Sequence, residues 1–482
     1  MIRIGIVAHL LGQFLLFLAG SLAIPTIVGV FSLTDDPRPT LWAGFLAALL
    51  GTLLYLGFDR PQSDLTRREG FLLVVAVWVG VCLLGCLPFY FSPYFPTFVD
   101  AFFESTSGFT TTGASVLAQV EVLPPSLQFW RCFSHWLGGM GVVLLGIAIL
   151  PLLATGGLNL YQAQFGGAQA DKLRPRVLET ARSLWKVYVA ISLAEYVALR
   201  FAGMNAFEAV CHTFSTMGTG GFSTRTASIA GFRSPLIEFI IIFFMIAASI
   251  NFTQHYRLFV ERRPRAFLSA EVKAHLWIVF LSTAVIVTSL LRSTDYSFST
   301  AFRAALFQVA SIITCTGFVT DDFEKWQPLP QLLLLVLMYV GGNTGSTAGG
   351  IKTYRVVLLM RVIGRELRRL ASPRGVFTVR VGQQPIAENT IQSLLSLVQL
   401  MLIVNLVCLA LMSAAGVDLL TGLSAVASTM FGVGPGLGDV GPAEHYGHLP
   451  QLAKWVLCGS MLAGRLEFYS ALVIVTPLFW RK

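Results

Sequence analysis

The sequence of 482 residues predicts an all-α membrane protein, with two leading transmembrane helices followed by four span–pore loop–span repeats around a pseudo-fourfold pore. Three observations predict it. Hydrophobic residues make up 55% of the chain and charged residues only 12%, about half the charged share of a soluble protein. Apolar stretches of about 20 residues, enough for a helix to cross about 30 Å of hydrocarbon, recur along the whole length. Four times, at intervals of roughly a hundred residues, a shorter apolar run leads into a Thr/Gly-rich segment and then a long apolar one, the mark of an internal repeat.

The spans read 5–31, 40–58, 70–92, 127–153, 184–202, 235–256, 274–291, 329–363, 391–415 and 450–479. The first resembles a signal peptide in having Arg3, an apolar run and small residues up to Ala23, but the run continues to Phe31, so a retained span is expected. Shorter runs near 97–109, 205–217, 299–313 and 418–430 are too brief to cross and read as re-entrant helices. The chain therefore divides into leading helices at 1–66, repeat one at 67–155, repeat two at 176–263, repeat three at 268–368 with a broken second helix, and repeat four at 388–482.

Each re-entrant run ends in a glycine-bearing segment: Thr111-Thr112-Gly113-Ala114, Thr219-Gly220-Gly221-Phe222, Cys315-Thr316-Gly317-Phe318 and Gly434-Pro435-Gly436-Leu437. The copies centre on Gly113, Gly221, Gly317 and Gly436. Irregular backbone at membrane depth is tolerated only where protein or water surrounds it. Four such loops around one axis would supply backbone carbonyls to replace an ion's hydration shell.

The eighth span carries Gly341-Gly342-Asn343-Thr344-Gly345-Ser346-Thr347-Ala348-Gly349-Gly350-Ile351-Lys352 in its middle. Glycine weakens a helix by about 1 kcal/mol per residue, so a break is expected there. The run is not a phosphate loop, because Ile351 separates Gly350 from Lys352 and no strand precedes it. An unwound polar segment at this depth marks an ion or substrate path. Arg465, inside the tenth span, is a charge that costs at least about 2.5 kcal/mol at the bilayer centre unless water, carbonyls or a counter-charge meet it. It reads as a fixed positive charge facing the pore below the loops.

Basic residues follow every second span: Arg60, Arg67 and Arg68; Lys172, Arg174, Arg176 and Arg182; Arg257, Arg262, Arg263 and Arg265; Arg365, Arg368, Arg369, Arg374 and Arg380; and finally Arg481 and Lys482. By the positive-inside rule these connections and both termini are cytoplasmic, and the re-entrant loops enter from outside. The opposite connections carry Asp35, Asp36, Asp321, Asp322, Glu324, Asp439 and Glu444. The net charge of +9 is thus membrane orientation, and nothing argues for a nucleic-acid partner. The seven cysteines lack extracellular pairing spacing, and His135 and His212 lack further ligands at metal spacing.

Taken together, the four loops, the Gly345-Ser346-Thr347-Ala348-Gly349-Gly350-Ile351-Lys352 segment and Gly464-Arg465-Leu466-Glu467 with Phe479-Trp480-Arg481 resemble the Trk/Ktr/HKT superfamily of potassium-uptake membrane subunits, in particular its TrkH branch. The resemblance covers essentially the whole chain. It implies a K⁺-selective permeation subunit of the bacterial inner membrane, a homodimer with one pore per protomer, and gating by a cytoplasmic nucleotide-binding regulatory subunit similar to TrkA. Under it, K⁺ is the transported ion and binds a selectivity filter of Thr111, Thr112, Gly113, Thr219, Gly220, Gly221, Cys315, Thr316, Gly317, Gly434, Pro435 and Gly436. The gate is Gly345, Ser346, Thr347, Ala348, Gly349, Gly350, Lys352 and Arg465, and the chain is not an enzyme and carries no cofactor of its own. Some eukaryotic relatives that carry Na⁺ have Ser at the position of Gly113, so glycine favours K⁺; Asn343-Thr344 departs somewhat from the family pattern.

Two rival readings stand beside it. An H⁺- or Na⁺-coupled K⁺ symporter would need a buried acidic relay, for which Glu104, Glu195, Glu208, Glu238 and Glu467 are the candidates. An intramembrane aspartyl protease is suggested by Gly436-Leu437-Gly438-Asp439, but no Tyr-Asp partner occurs in the chain.

Overall fold

Glycine brings the first two helices into backbone contact. In the computed structural model, which describes residues 2–32, 35–58, 60, 65–149, 173–381 and 384–481, Ile4–Phe31 and Arg38–Gly57 lie side by side. A Cβ on Gly12 would fall 2.7 Å from the Tyr55 nitrogen, and one on Gly51 would fall 3.0 Å from that of Leu16. Much of the basic connection expected at 154–182, Lys172 included, lies outside the described residues.

Four half-length helices occupy the interior: Phe98–Thr110, Ala206–Gly218, Phe298–Ile313 and Leu419–Phe431. Each starts on a side chain that accepts an otherwise unpaired amide, from Thr97, Asn205, Ser297 and Asp418 respectively. Every residue of the first from Val99 to Thr110 is buried, small and polar ones included. Each is flanked by a helix before and a helix after it: Arg67–Gly85 and Pro125–Ile149, Leu173–Phe201 and Pro235–Ala248, Ala270–Ser293 and Pro328–Tyr339, Glu388–Ala414 and Gln451–Arg465. Among the described residues, five helices are long and apolar enough to cross a bilayer alone, and two bent pairs pass the same test together.

Those bent pairs depart from the composition, which reads the sixth and tenth spans as unbroken. Pro235–Ala248 turns by 101° into Phe252–Phe259, and Gln451–Arg465 by 115° into Tyr469–Val475. The eighth span also stops, at Tyr339, and helix resumes at Thr353. Hydropathy is blind to such bends because the apolar residues continue through them, and partners elsewhere accept the released backbone groups. Ser249 O accepts the Asn343 amide at 2.8 Å, and Asn251 caps the next helix through the Thr253 amide. In the tenth span Glu467 and Phe468 adopt φ of 53° and 58°.

The fourth repeat is tied to the first by a buried ion pair. Lys454 Nζ lies 2.6 Å from Asp100 Oδ1, with side chains 6% and 9% exposed, and also donates to Gly447 O at 2.7 Å. Asp100→Ala leaves the ammonium buried and is expected to cost about 3–5 kcal/mol, read as a lower melting temperature in detergent. The pair-removing Asp100→Leu with Lys454→Met is expected to recover most of that loss.

Candidate functional site

All four half-length helices end in the same way. A left-handed residue follows each, immediately in three cases and after Thr314 in the other: Thr111 (φ 57°), Thr219 (53°), Cys315 (55°) and Gly432 (71°). The next residue returns its amide to a serine carbonyl within the helix: Thr112 to Ser107 at 2.8 Å, Gly220 to Ser215 at 2.9 Å, Thr316 to Ser311 at 2.8 Å and Val433 to Ser428 at 2.8 Å. Then comes a glycine of positive φ, at Gly113 (81°), Gly221 (79°), Gly317 (78°) and Gly434 (104°). The register of loop four thus centres on Gly434, two residues before the Gly436 expected from the sequence. Gly436 has no positive φ and gives its amide to Val440 O at 2.7 Å, beyond the shared turn.

The four glycines close a ring. A Cβ on Gly113 would fall 1.9 Å from Gly220 O, on Gly221 2.0 Å from Thr316 O, on Gly317 1.9 Å from Val433 O, and on Gly434 2.9 Å from Thr112 O. Each loop therefore sets the carbonyl before its glycine against the glycine of the previous loop, and the last loop meets the first. Any side chain at these positions would push the neighbouring carbonyl away, which is why all four are glycine. The four helices present their C-terminal, partly negative ends to this ring.

On one face of the ring lies a cavity of about 110 Å³ lined by residues after the glycines, among them Ser115, Ser223, Val319, Pro435 and Tyr446. On the other lies one of about 50 Å³ lined by Thr110, Thr112, Thr429, Gly349, Lys352 and Arg465. Each exceeds the roughly 10–15 Å³ that one water needs. In the connection after the third loop Glu324 accepts the Gly438 amide, and burial pushes its carboxyl above the ordinary range.

The segment between Tyr339 and Thr353 is closed at its neck, with Gly341 N on Ile351 O and Ile351 N on Tyr339 O, both at 2.9 Å. Its body reaches across to the second repeat: Thr347 Oγ1 donates toward Met217 O (3.1 Å) and Ala248 O (3.2 Å), and the Phe252 amide donates to Gly345 O (3.2 Å). Glu271 accepts from the Thr344 amide at 2.7 Å. A Cβ on Gly349 would fall 2.1 Å from Phe431 O, so the segment also touches the fourth half-length helix. Lys352 Nζ donates to Ala348 O. Arg465, the last residue of its helix, donates from Nη1 to Thr347 O at 3.0 Å and from Nη2 to Gly138 O at 3.4 Å. The structure thus brings the nine expected residues of loops one to three and Gly434 of loop four into one ring, with Pro435 and Gly436 following beyond its turn and the segment with Arg465 on one face.

Several candidates take other roles. Glu104 pairs with Arg131 at 2.7 Å, Glu208 with Arg225 at 2.8 Å, Glu238 with Arg303 at 2.8 Å and Glu467 with Arg355 at 2.6 Å. Glu195 is fully buried without an ion-pair partner among the described residues. Both ring nitrogens of His135 and of His212 are within hydrogen-bond distance of protein atoms. The sequence reading missed Gly432 and Val433. A signal was present, since Ser107, Ser215, Ser311 and Ser428 each stand six positions before the ring glycine.

This architecture has known counterparts. The family model for TrkH, described as a cation transport protein, matches residues 40–481. The Trk system potassium uptake protein TrkH of Escherichia coli K12 is 37% identical over 99% of both chains, and that of Vibrio parahaemolyticus 38% identical over the same shares. The crystal structure of the potassium transporter TrkH from Vibrio parahaemolyticus superposes with a TM-score of 0.92 at 36% identity, covering all of both chains. The chain belongs to the TrkH family of cation transport proteins and is a multi-pass membrane protein.

Arg465→Ala removes both charge-assisted bonds to the backbone. Amide exchange of a peptide covering 341–352 is expected to quicken about tenfold, or ~1.4 kcal/mol, in hydrogen-exchange mass spectrometry. Unchanged protection would mean that the second-repeat contacts alone hold the segment.

Proposed function

We propose that this chain is the potassium-conducting subunit of a bacterial uptake system, K⁺ entering through the ring of four loops. The single observation that carries the reading is the closed ring itself, in which the carbonyls of Thr112, Gly220, Thr316 and Val433 lie against the four glycines. Such oxygens, backed by four helix C-termini, replace the hydration shell of a monovalent cation. The filter is then Thr111 to Gly113, Thr219 to Gly221, Cys315 to Gly317 and Gly432 to Gly434, with Pro435 and Gly436 following it. The names of the relatives as potassium uptake proteins support K⁺ as the ion.

Below the filter, Gly345 to Gly350, Lys352 and Arg465 form the gate. The glycine-rich backbone has many accessible states, and two cationic side chains hold it by carbonyls. The face bearing the gate is cytoplasmic, as are both termini, in the inner membrane of a bacterium. The protomer pairs into a homodimer, and a separate nucleotide-binding protein docks on the basic connections around 257–273 and 364–389. Arg365 does not belong to that docking surface: it is spent on Glu388, at 2.6 and 3.1 Å. Arg368 and Arg369 stand exposed one turn on.

The ring assignment separates two neighbouring glycines. Gly434→Ser forces a side chain into φ 104° beside Thr112 O, a strain of about 1–3 kcal/mol, and is expected to lower the K⁺/Na⁺ flux ratio in liposomes about tenfold. Gly436→Ser meets Val440 and Ser424 rather than a carbonyl of the ring, and is expected to change the ratio less than about threefold. Equal effects of the two would sink the register. For the regulator, Arg368→Glu with Arg369→Glu is expected to abolish co-purification of a soluble partner under mild extraction, with the melting temperature kept. Arg365→Glu is expected to lower that temperature.

A further inference from the structure

The four repeats are not equal at one level behind the ring. Counting back from Gly138, Ala248, Gly341 and Gly464, the fully or almost fully buried residue three positions earlier is His135 in repeat one and methionine in the others, Met245, Met338 and Met461. Seven positions back stands Arg131, against Ile241, Leu334 and Leu457. In repeats one and four the register is a physical one: a Cβ on Gly138 would meet Phe109 O at 1.9 Å, and one on Gly464 would meet Met430 O, the same place on the fourth half-length helix, at 1.7 Å, whereas Gly341 lies past the end of its helix and faces Gly349 O.

The loop that His135 faces is altered to match. The residue before the ring glycine is Thr112, Thr316 and Val433 in three loops and Gly220 in loop two, where a Cβ would fall 2.4 Å from His135 Cγ and Nδ1. The imidazole thus occupies the room that a side chain fills in the other loops. His135 Nδ1 lies 2.8 Å from Gly108 O, in half-length helix one, and can only donate to it. That leaves Nε2 as the acceptor for the Phe222 amide at 3.2 Å, immediately after Gly221. One neutral tautomer satisfies both contacts. Arg131, one turn earlier, places its guanidinium 4.1 Å from the Phe222 ring and donates to Glu104 at 2.7 Å and to Ser223 O at 3.3 Å. In loop four the residue after the ring glycine is Pro435, which has no amide to be held.

We propose that His135 is a specificity-determining positioning residue, which sets the spacing between loops one and two and thereby where Gly220 O sits in the ring, with Arg131 bracing the same seam. This rests on the reading of the ring as the K⁺ filter. Its mode of action is steric and tautomeric. The ring fills the Gly220 gap while its two nitrogens fix the distance from Gly108 O to the Phe222 amide, so the seam neither collapses onto a smaller ion nor opens for a hydrated one.

The test compares K⁺/Na⁺ flux ratios of reconstituted protein for His135→Met, His135→Gln, Gly220→Ala and Gly221→Ser. Methionine, the residue the other repeats use, keeps bulk but cannot donate to Gly108 O and offers the Phe222 amide only a weak acceptor. It is expected to lower the ratio about fivefold, or ~1 kcal/mol, with K⁺ flux measured alone changed less. Glutamine keeps a donor and an acceptor at similar reach and is expected to stay within about twofold of the parent. Gly220→Ala drives a methyl against the imidazole and is expected to lower the ratio too, which gives a readout even if His135→Met is not recovered from the membrane. If Gly221→Ser lowers the ratio while His135→Met or, in its absence, Gly220→Ala leaves it unchanged, the assignment of His135 is overturned and the filter stands. If Gly221→Ser also leaves it unchanged, the filter reading itself fails, and this inference with it.

Discussion

The carbonyl-on-glycine contact between successive loops is the constraint on which the rest of this molecule depends. It demands a left-handed residue, then one without positive φ, then a glycine of positive φ in every loop, and left-handed backbone at Thr111, Thr219 and Cys315 is tolerated only where its surroundings hold it. Burial of the half-length helices supplies that hold. Their small polar residues let neighbours come close: Ser105 Oγ, for one, donates to Cys82 O of the flanking helix at 2.8 Å.

The broken second helices follow from the same geometry. A straight helix through residues 249–251, 340–352 or 466–468 would run on past the lower face of the ring. Breaking it there releases carbonyls and amides that must be satisfied. The 341–352 segment answers this by bonding Ser249 O through the Asn343 amide, and Arg465 answers it by taking up Thr347 O. The lower side of the ring is thus built from the ends of interrupted helices, whose partners are long side chains and glycine backbone.

Much of this was legible in the sequence, for identifiable reasons. Half-length apolar runs and their Thr/Gly endings announce themselves through length and composition, and so does the glycine-rich break in the eighth span. The register of loop four was not legible from glycine alone, because Gly432, Gly434, Gly436 and Gly438 offer four choices; the spacing from Ser428, which matches that of the other three loops and anchors the helix end, decides among them. The bends at Ser249 and Glu467 escaped because apolar side chains continue through them. The pairing of Arg365 with Glu388, and of Glu104 with Arg131, depends on which helices become neighbours, and periodicity carries no information on that.

Closure of the ring between its last and first loops has a consequence for how the protein is made. Lys454 and Asp100 are 354 positions apart, and the Thr112–Gly434 seam spans nearly as much chain. At ribosomal speeds of about 5–20 residues per second, the first half-length helix waits on the order of 20 to 70 s for its final neighbour. Until then Asp100 is a carboxylate without its lysine, and the Thr112 carbonyl has no glycine to rest on. The nascent protein therefore passes through an interval as an open arc in the membrane, complete in three loops only for its last roughly 6 to 23 s, and the order of translation, rather than the symmetry of the finished ring, leaves the two seams of loop four to be sealed last.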